Sequence, residues 1–176
     1  MIISPLYNDV VSKKRLWEML SISISGELKH FVTKSHDSNR LLLCYNHNGI
    51  KVTFEESDGK PLKSSFILAV KKNMQLEISK NSFIDKIFQR NTERIPLLNT
   101  YKIKSNSSRL KDAIINDPYV LDSLNTNQFY SLYGYTKNGD LNLNITFSFF
   151  VNNYTKLKMV YLVNNNLIDI ILANND

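Results

Sequence analysis

Cys44 and His47, together with His30 and His36, are the one set in this sequence with the ligand types of a transition-metal site. Structural zinc sites pair two such motifs, and no second pair is present. Strand residues alternate between faces, so positions 44 and 47 point apart unless a turn intervenes, and no metal is expected. Carboxylates gather at Glu55, Glu56 and Asp58 and are spread over Asp112, Asp117 and Asp122. General acid–base chemistry needs two such groups held at a set distance in a cleft, with their pKa values pushed apart. Asp117, just before Pro118, reads instead as a helix cap, and the two glutamates as solvated strand ends. No nucleophile elbow, phosphate loop or H-E-x-x-H motif occurs. The sequence predicts a protein that is not an enzyme, with no catalytic residue, no metal and no cofactor.

A second chemistry is carried by Lys102, Lys104, Tyr130, Tyr133 and Tyr135. If these share an exposed sheet face, the rings can stack on bases while the ammonium groups meet phosphates, which makes nucleic-acid binding the rival reading. The net charge of +6, from 22 Lys+Arg against 16 Asp+Glu, is compatible with an acidic partner. The basic residues are scattered, however, and no RNP-type run of aromatic and glycine residues accompanies them.

The elements that position these residues follow from periodicity and turn chemistry. Two segments, Tyr45-Asn46-His47-Asn48-Gly49 and Tyr135-Thr136-Lys137-Asn138-Gly139, place Asn-Gly between strand-like runs, and Asn-Gly supplies the positive-φ residues of a tight hairpin. A first helix is predicted over about 8 to 21 with Trp17 anchoring its apolar side, then a strand over 27–33 and a hairpin of 41–45 with 50–54. Strands at 65–70 and 75–79 precede a short helix at 82–90. A strand at 101–104 leads into a helix capped by Ser107 or Ser108, which Asp117-Pro118 restarts. A hairpin spanning 129–150 and a helix over about 153–173 close the chain. Trp17, Phe147 and Ile168 are expected in the core. With 176 residues and 43% apolar content, this is one α+β domain covering 1–176. Its antiparallel hairpins form a sheet packed by the N- and C-terminal helices, and its two halves read as loosely similar, each contributing one hairpin.

The register of the second hairpin decides what it displays. A loop of Asn138-Gly139 alone sets Tyr133 and Tyr135 beside Asn142 and Asn144, exposed, whereas a three-residue loop from Lys137 turns both tyrosines and Phe129 onto the apolar face. The three-residue loop is the expectation, because it gathers apolar residues of both strands on one side. The closing helix carries apolar residues nearly all round, and a terminal helix of that kind is expected to share a face with a partner, near Tyr161, Leu162 and Val163. A single cysteine, Cys44, allows no internal disulfide and reads as a buried strand residue. No apolar run reaches the roughly 18 residues of a spanning helix and the first residues lack secretory-signal features, so a cytoplasmic location is expected.

The run Tyr101-Lys102-Ile103-Lys104-Ser105-Asn106, followed by Leu110, Ile114-Ile115, Asn116-Asp117-Pro118 and Leu121 to Leu124, resembles a poorly characterised bacterial domain of unknown function. Trp17, Gly49 and the last helix fall in the corresponding order. In that family the domain often follows transmembrane helices, which this sequence lacks. The resemblance implies a bacterial, non-catalytic module. The expected function is accordingly a protein-interaction or self-association module with an unidentified protein or a second copy as partner, a homodimer being one form.

Overall fold

The computed structural model describes residues 5–33, 38–80, 100–126 and 129–175. Helix α1 (Pro5–Ser23) is followed by strands β1 (Glu27–Thr33), β2 (Ser38–His47), β3 (Ile50–Ser57), β4 (Lys63–Ala69), β5 (Gln75–Lys80) and β6 (Tyr101–Ser105). Helices α2 (Ser108–Asn116) and α3 (Pro118–Asn125), the hairpin β7 (Phe129–Lys137) and β8 (Asp140–Phe147), and helix α4 (Tyr154–Ala173) complete it. The helix predicted at 82–90 lies outside the described residues. All eight strands form one antiparallel sheet in the order β1-β2-β3-β4-β8-β7-β5-β6, so the fold is α+β. The first four strands form a meander, whereas in the second half β7 inserts beside β5 and the halves differ in order. Among the described residues no helix is long and apolar enough to cross a membrane.

Local chemistry explains the boundaries. Both Asn-Gly pairs form two-residue turns with positive φ at each position, 51° and 79° at Asn48-Gly49 and 55° and 85° at Asn138-Gly139. That geometry matches the right-handed twist of the strands it joins. Ser107 caps α2 by accepting from Leu110 N, Asp117 caps α3 by accepting from Tyr119 N and Val120 N with Pro118 in the first turn, and Asn153 caps α4 through Lys156 N. Each cap satisfies amide donors that the helix leaves unpaired.

The period-two pattern divides the sheet into a buried and an open face. Leu41, Leu43, Tyr45, Val52, Phe54, Phe66, Leu68, Leu141, Leu143, Ile145 and Phe147 line the buried face. Trp17 and Leu20 of α1, Leu110 and Ile114 of α2, Val120 and Leu124 of α3, and Leu157, Val160, Leu167 and Ile168 of α4 complete the same core. Trp17, Phe147 and Ile168 are fully buried, as the sequence predicts. Tyr101 is buried too, which pushes its phenol pKa up to about 12 by desolvation.

Three expectations are corrected here. The second hairpin uses the two-residue loop: Lys137 pairs with Asp140, Tyr135 with Asn142 and Tyr133 with Asn144, which puts both tyrosines on the open face. Helix α4 is not left with a free apolar side, because α1, α2 and α3 pack against it and Asn164 and Asn165 bond it to β4 and β2. Val163 is fully buried in the chain's own core, while Tyr161 and Leu162 are half-buried. Cys44 is half-buried on the open face of β2, its Sγ 3.7 Å from Thr53 Oγ1, rather than in the core.

Candidate interaction face

The open face is built by register. Ser65, Asn144, Tyr133, Glu77 and Lys104 form one row across β4, β8, β7, β5 and β6. Ile67, Asn142, Tyr135 and Gln75 form the next row, and Lys63, Thr146, Ser131, Ser79 and Lys102 lie on the other side of the first. The structure thus brings Lys102, Lys104, Tyr133 and Tyr135 onto one surface; Tyr130 belongs to β7, and its side chain is outside the described part. Tyr133 is 50% exposed, Tyr135 51% and Ile67 57%. Beneath the tyrosines, Leu132 and Gly134 occupy the buried positions, Gly134 lying beside Leu76, Leu141 and Leu143.

The electrostatics of this face are mixed rather than basic. Lys104 Nζ lies 3.2 Å from Glu77 Oε2, Arg40 Nε lies 2.9 Å from Glu55 Oε1, and Lys29 Nζ lies 3.0 Å from Glu27 Oε1. Ser79 Oγ donates to Glu77 Oε1 at 3.2 Å, so Glu77 is held from two directions. Three cations of the face therefore have carboxylate neighbours of their own, and Lys63, Lys102 and Ile67 share the remaining surface with amide, hydroxyl and phenol groups. Such a surface offers hydrogen bonds and rigid aromatic area, the composition favoured in protein-binding surfaces.

Cys44, His47 and His30, residues of metal-ligand type in the sequence, lie apart. His47 Nε2 lies 2.9 Å from Asp169 Oδ1 of α4 on the buried-face side, Cys44 is on the open face, and His30 Nε2 lies 3.2 Å from Asn39 Oδ1. His36 is outside the described residues. No group of three potential metal-ligating side chains occurs among the described residues.

The carboxylate cluster divides too, and here the expectation of solvated strand ends is half wrong. Glu55 faces outward to Arg40, but Glu56 points into the core and is only 2% exposed. Its Oε1 accepts from Lys13 Nζ of α1 at 3.0 Å and from Val151 N at 3.2 Å. Burial raises its pKa, and the neighbouring Lys13 charge, the Val151 amide and the indole N–H of Trp17 oppose part of that rise. The indole falls short of hydrogen-bond geometry, so Glu56 Oε2 and Trp17 Nε1 have no partner among the described residues. A small crevice beside this cluster is lined by Lys13, Lys14, His30, Asn39, Glu56 and Asp58. Within this crevice the Lys13–Glu56 ion pair bonds α1 to β3.

Asn164, Asn165 and Asn166 also do what the sequence did not reveal. Asn164 accepts from Ser64 Oγ at 2.9 Å and donates to Val160 O at 2.8 Å; Asn165 accepts from the Tyr45 hydroxyl at 3.0 Å; Asn166 donates to Asp117 Oδ2 at 2.9 Å. Three successive side chains tie α4 to β4, β2 and the cap of α3. Burial, with Tyr161 close by, pushes the Tyr45 phenol pKa far up, so its proton stays on as the donor to Asn165.

No protein family and no curated protein matches this chain. Among solved structures it is similar to the crystal structure of the mycobacterial trehalose monomycolate transport factor A, TtfA, with a TM-score of 0.52 at 10% sequence identity, covering 91% of this chain and 94% of that chain. At that identity the likeness is one of fold.

Proposed function

We propose that this chain is a non-enzymatic protein-interaction module that docks its partner on the open face of the sheet. The supporting observation is the pair Tyr133 and Tyr135, both half exposed in adjacent rows with Asn142, Asn144, Glu77 and Lys104 on the face of the sheet opposite the core. Tyrosine gives large contact area for little side-chain entropy, and flanking amides supply directional hydrogen bonds. The similarity to TtfA, a transport factor by name, is compatible with a binding role and at 10% identity carries no ligand across.

The rival is nucleic-acid binding by the same surface. It gains from the observed register, which exposes both tyrosines, and loses from Glu77, Glu55 and Glu27, which hold cations that phosphates would need. A pull-down from the native cell with wild-type protein and with Tyr133→Ser/Tyr135→Ser separates the two. The interaction-module reading expects a protein partner retained through moderate salt and lost in the double variant. Nuclease-sensitive capture that falls steeply with salt would favour the rival, and equal capture by the double variant would remove the open face from either role.

A further inference from the structure

Strand β1 is the first strand of the sheet and, among the described residues, has a neighbouring strand on one side only. Its seven residues pair with β2 from Glu27–Cys44 to Thr33–Ser38, and no backbone bond to another described segment covers its outer edge. An edge of free amides and carbonyls is complementary to one thing, another extended strand. The opposite edge, β6, is five residues long with Tyr101 and Ile103 buried, whereas on β1 Phe31 is 46% exposed and Val32 60%.

We propose that the outer edge of β1 pairs antiparallel with β1 of a second copy of this chain, about a two-fold axis through His30. Opposed residues in an antiparallel pair share a face, so the axis must pass through a residue. An axis at Lys29 would set like charges directly opposite, and one at Phe31 would leave Leu28 without an opposed strand residue. The axis at His30 uses all seven residues. It sets Leu28 against Val32 of the second copy on the helix side, and Lys29 against Phe31 on the open side. The Lys29 charge is tempered by Glu27 at 3.0 Å, and the Phe31 ring already takes a cation, with the Arg40 guanidinium 5.8 Å from its centroid. His30 is held back toward β2 by Asn39, so the two imidazoles need not meet. The flank of α1 beside this edge carries both signs of charge: Lys14, which lines the crevice with His30, lies 3.6 Å from Glu18. Seven paired residues bury less than the roughly 1,200 Å² of a standard interface, so the dimer forms in a concentration-dependent way. Its two sheets continue into one another, and this self-pairing does not depend on what the open face binds.

Light scattering on the full chain from dilute to millimolar protein tests it. The expected result is a rise from the 20.4 kDa monomer mass to twice that value, abolished by Phe31→Lys/Val32→Lys without a change in melting temperature. Register is tested by oxidative cross-linking in a Cys44→Ser background. A mixture of Lys29→Cys and Phe31→Cys chains should give a disulfide-linked dimer, and each variant alone should not. A monomer at millimolar protein, a dimer that survives in the folded double lysine variant, or single variants that cross-link as well as the mixture would each overturn the proposal.

Discussion

Glu56 is where residue-scale chemistry departs most from a plain surface reading. The alternation Val52, Phe54, Glu56 puts it on the buried face, so its orientation was available from strand parity; its partner was not, because Lys13 is 43 residues away on α1. Since its pKa is raised in the folded state above the unfolded value, the native chain holds the Glu56 proton to higher pH than the unfolded chain does. Its contribution to stability is therefore present on the acid side and is lost as pH rises from the ordinary carboxylate range through the raised folded value. Denaturant midpoints measured across this range should show that loss in the wild type and a flatter dependence in Glu56→Gln; parallel curves for the two would contradict the assignment. Trp17, packed against the same carboxylate, was legible as core from helical spacing alone. Trp17→Ala should destabilise by about 3–5 kcal/mol, the range for truncating a large buried aromatic, read as a fall in melting temperature.

At the scale of elements, the strands, caps and closing helix follow closely from alternation, Asn-Gly turns and the Ser107, Asp117 and Asn153 caps. The register of β7 and β8 did not, because counting apolar residues favoured burying Tyr133 and Tyr135, whereas turn geometry prevailed: positive φ at both Asn138 and Gly139 closes the hairpin in two residues. Gly139→Ala should cost about 1–2 kcal/mol, since its φ of 85° is strained for any residue with a Cβ even in the open space around it. Helix α4 was misread for a different reason. Its apolar circumference reflects burial by α1, α2 and α3, and no local pattern says which helices will cover it. Asn164, Asn165 and Asn166 fasten it to β4, β2 and the cap of α3. Tyr45→Phe leaves the buried Asn165 oxygen without its donor and should cost about 1–3 kcal/mol in equilibrium unfolding, with part of that recovered when Asn165→Leu is added.

At the scale of the whole molecule, the strand order could not be read from the sequence, because β4 pairs with β8 and β5 with β7 across long separations. That order is what assembles the candidate face: Tyr133 and Tyr135 meet Glu77 and Lys104 only because β7 inserts beside β5. The tyrosines and lysines were legible as candidates by type, and their juxtaposition was a property of the fold. The central claim, that the open face is the docking surface, is tested most directly by photo-cross-linking in the native cell, with a photoreactive phenylalanine placed at Tyr133, at Tyr135, and at Tyr119 on α3, which is exposed to a similar degree. Protease-sensitive adducts of one mass are expected from positions 133 and 135 and none of that mass from 119. No adduct from the sheet positions, or the same adduct from Tyr119, would contradict it.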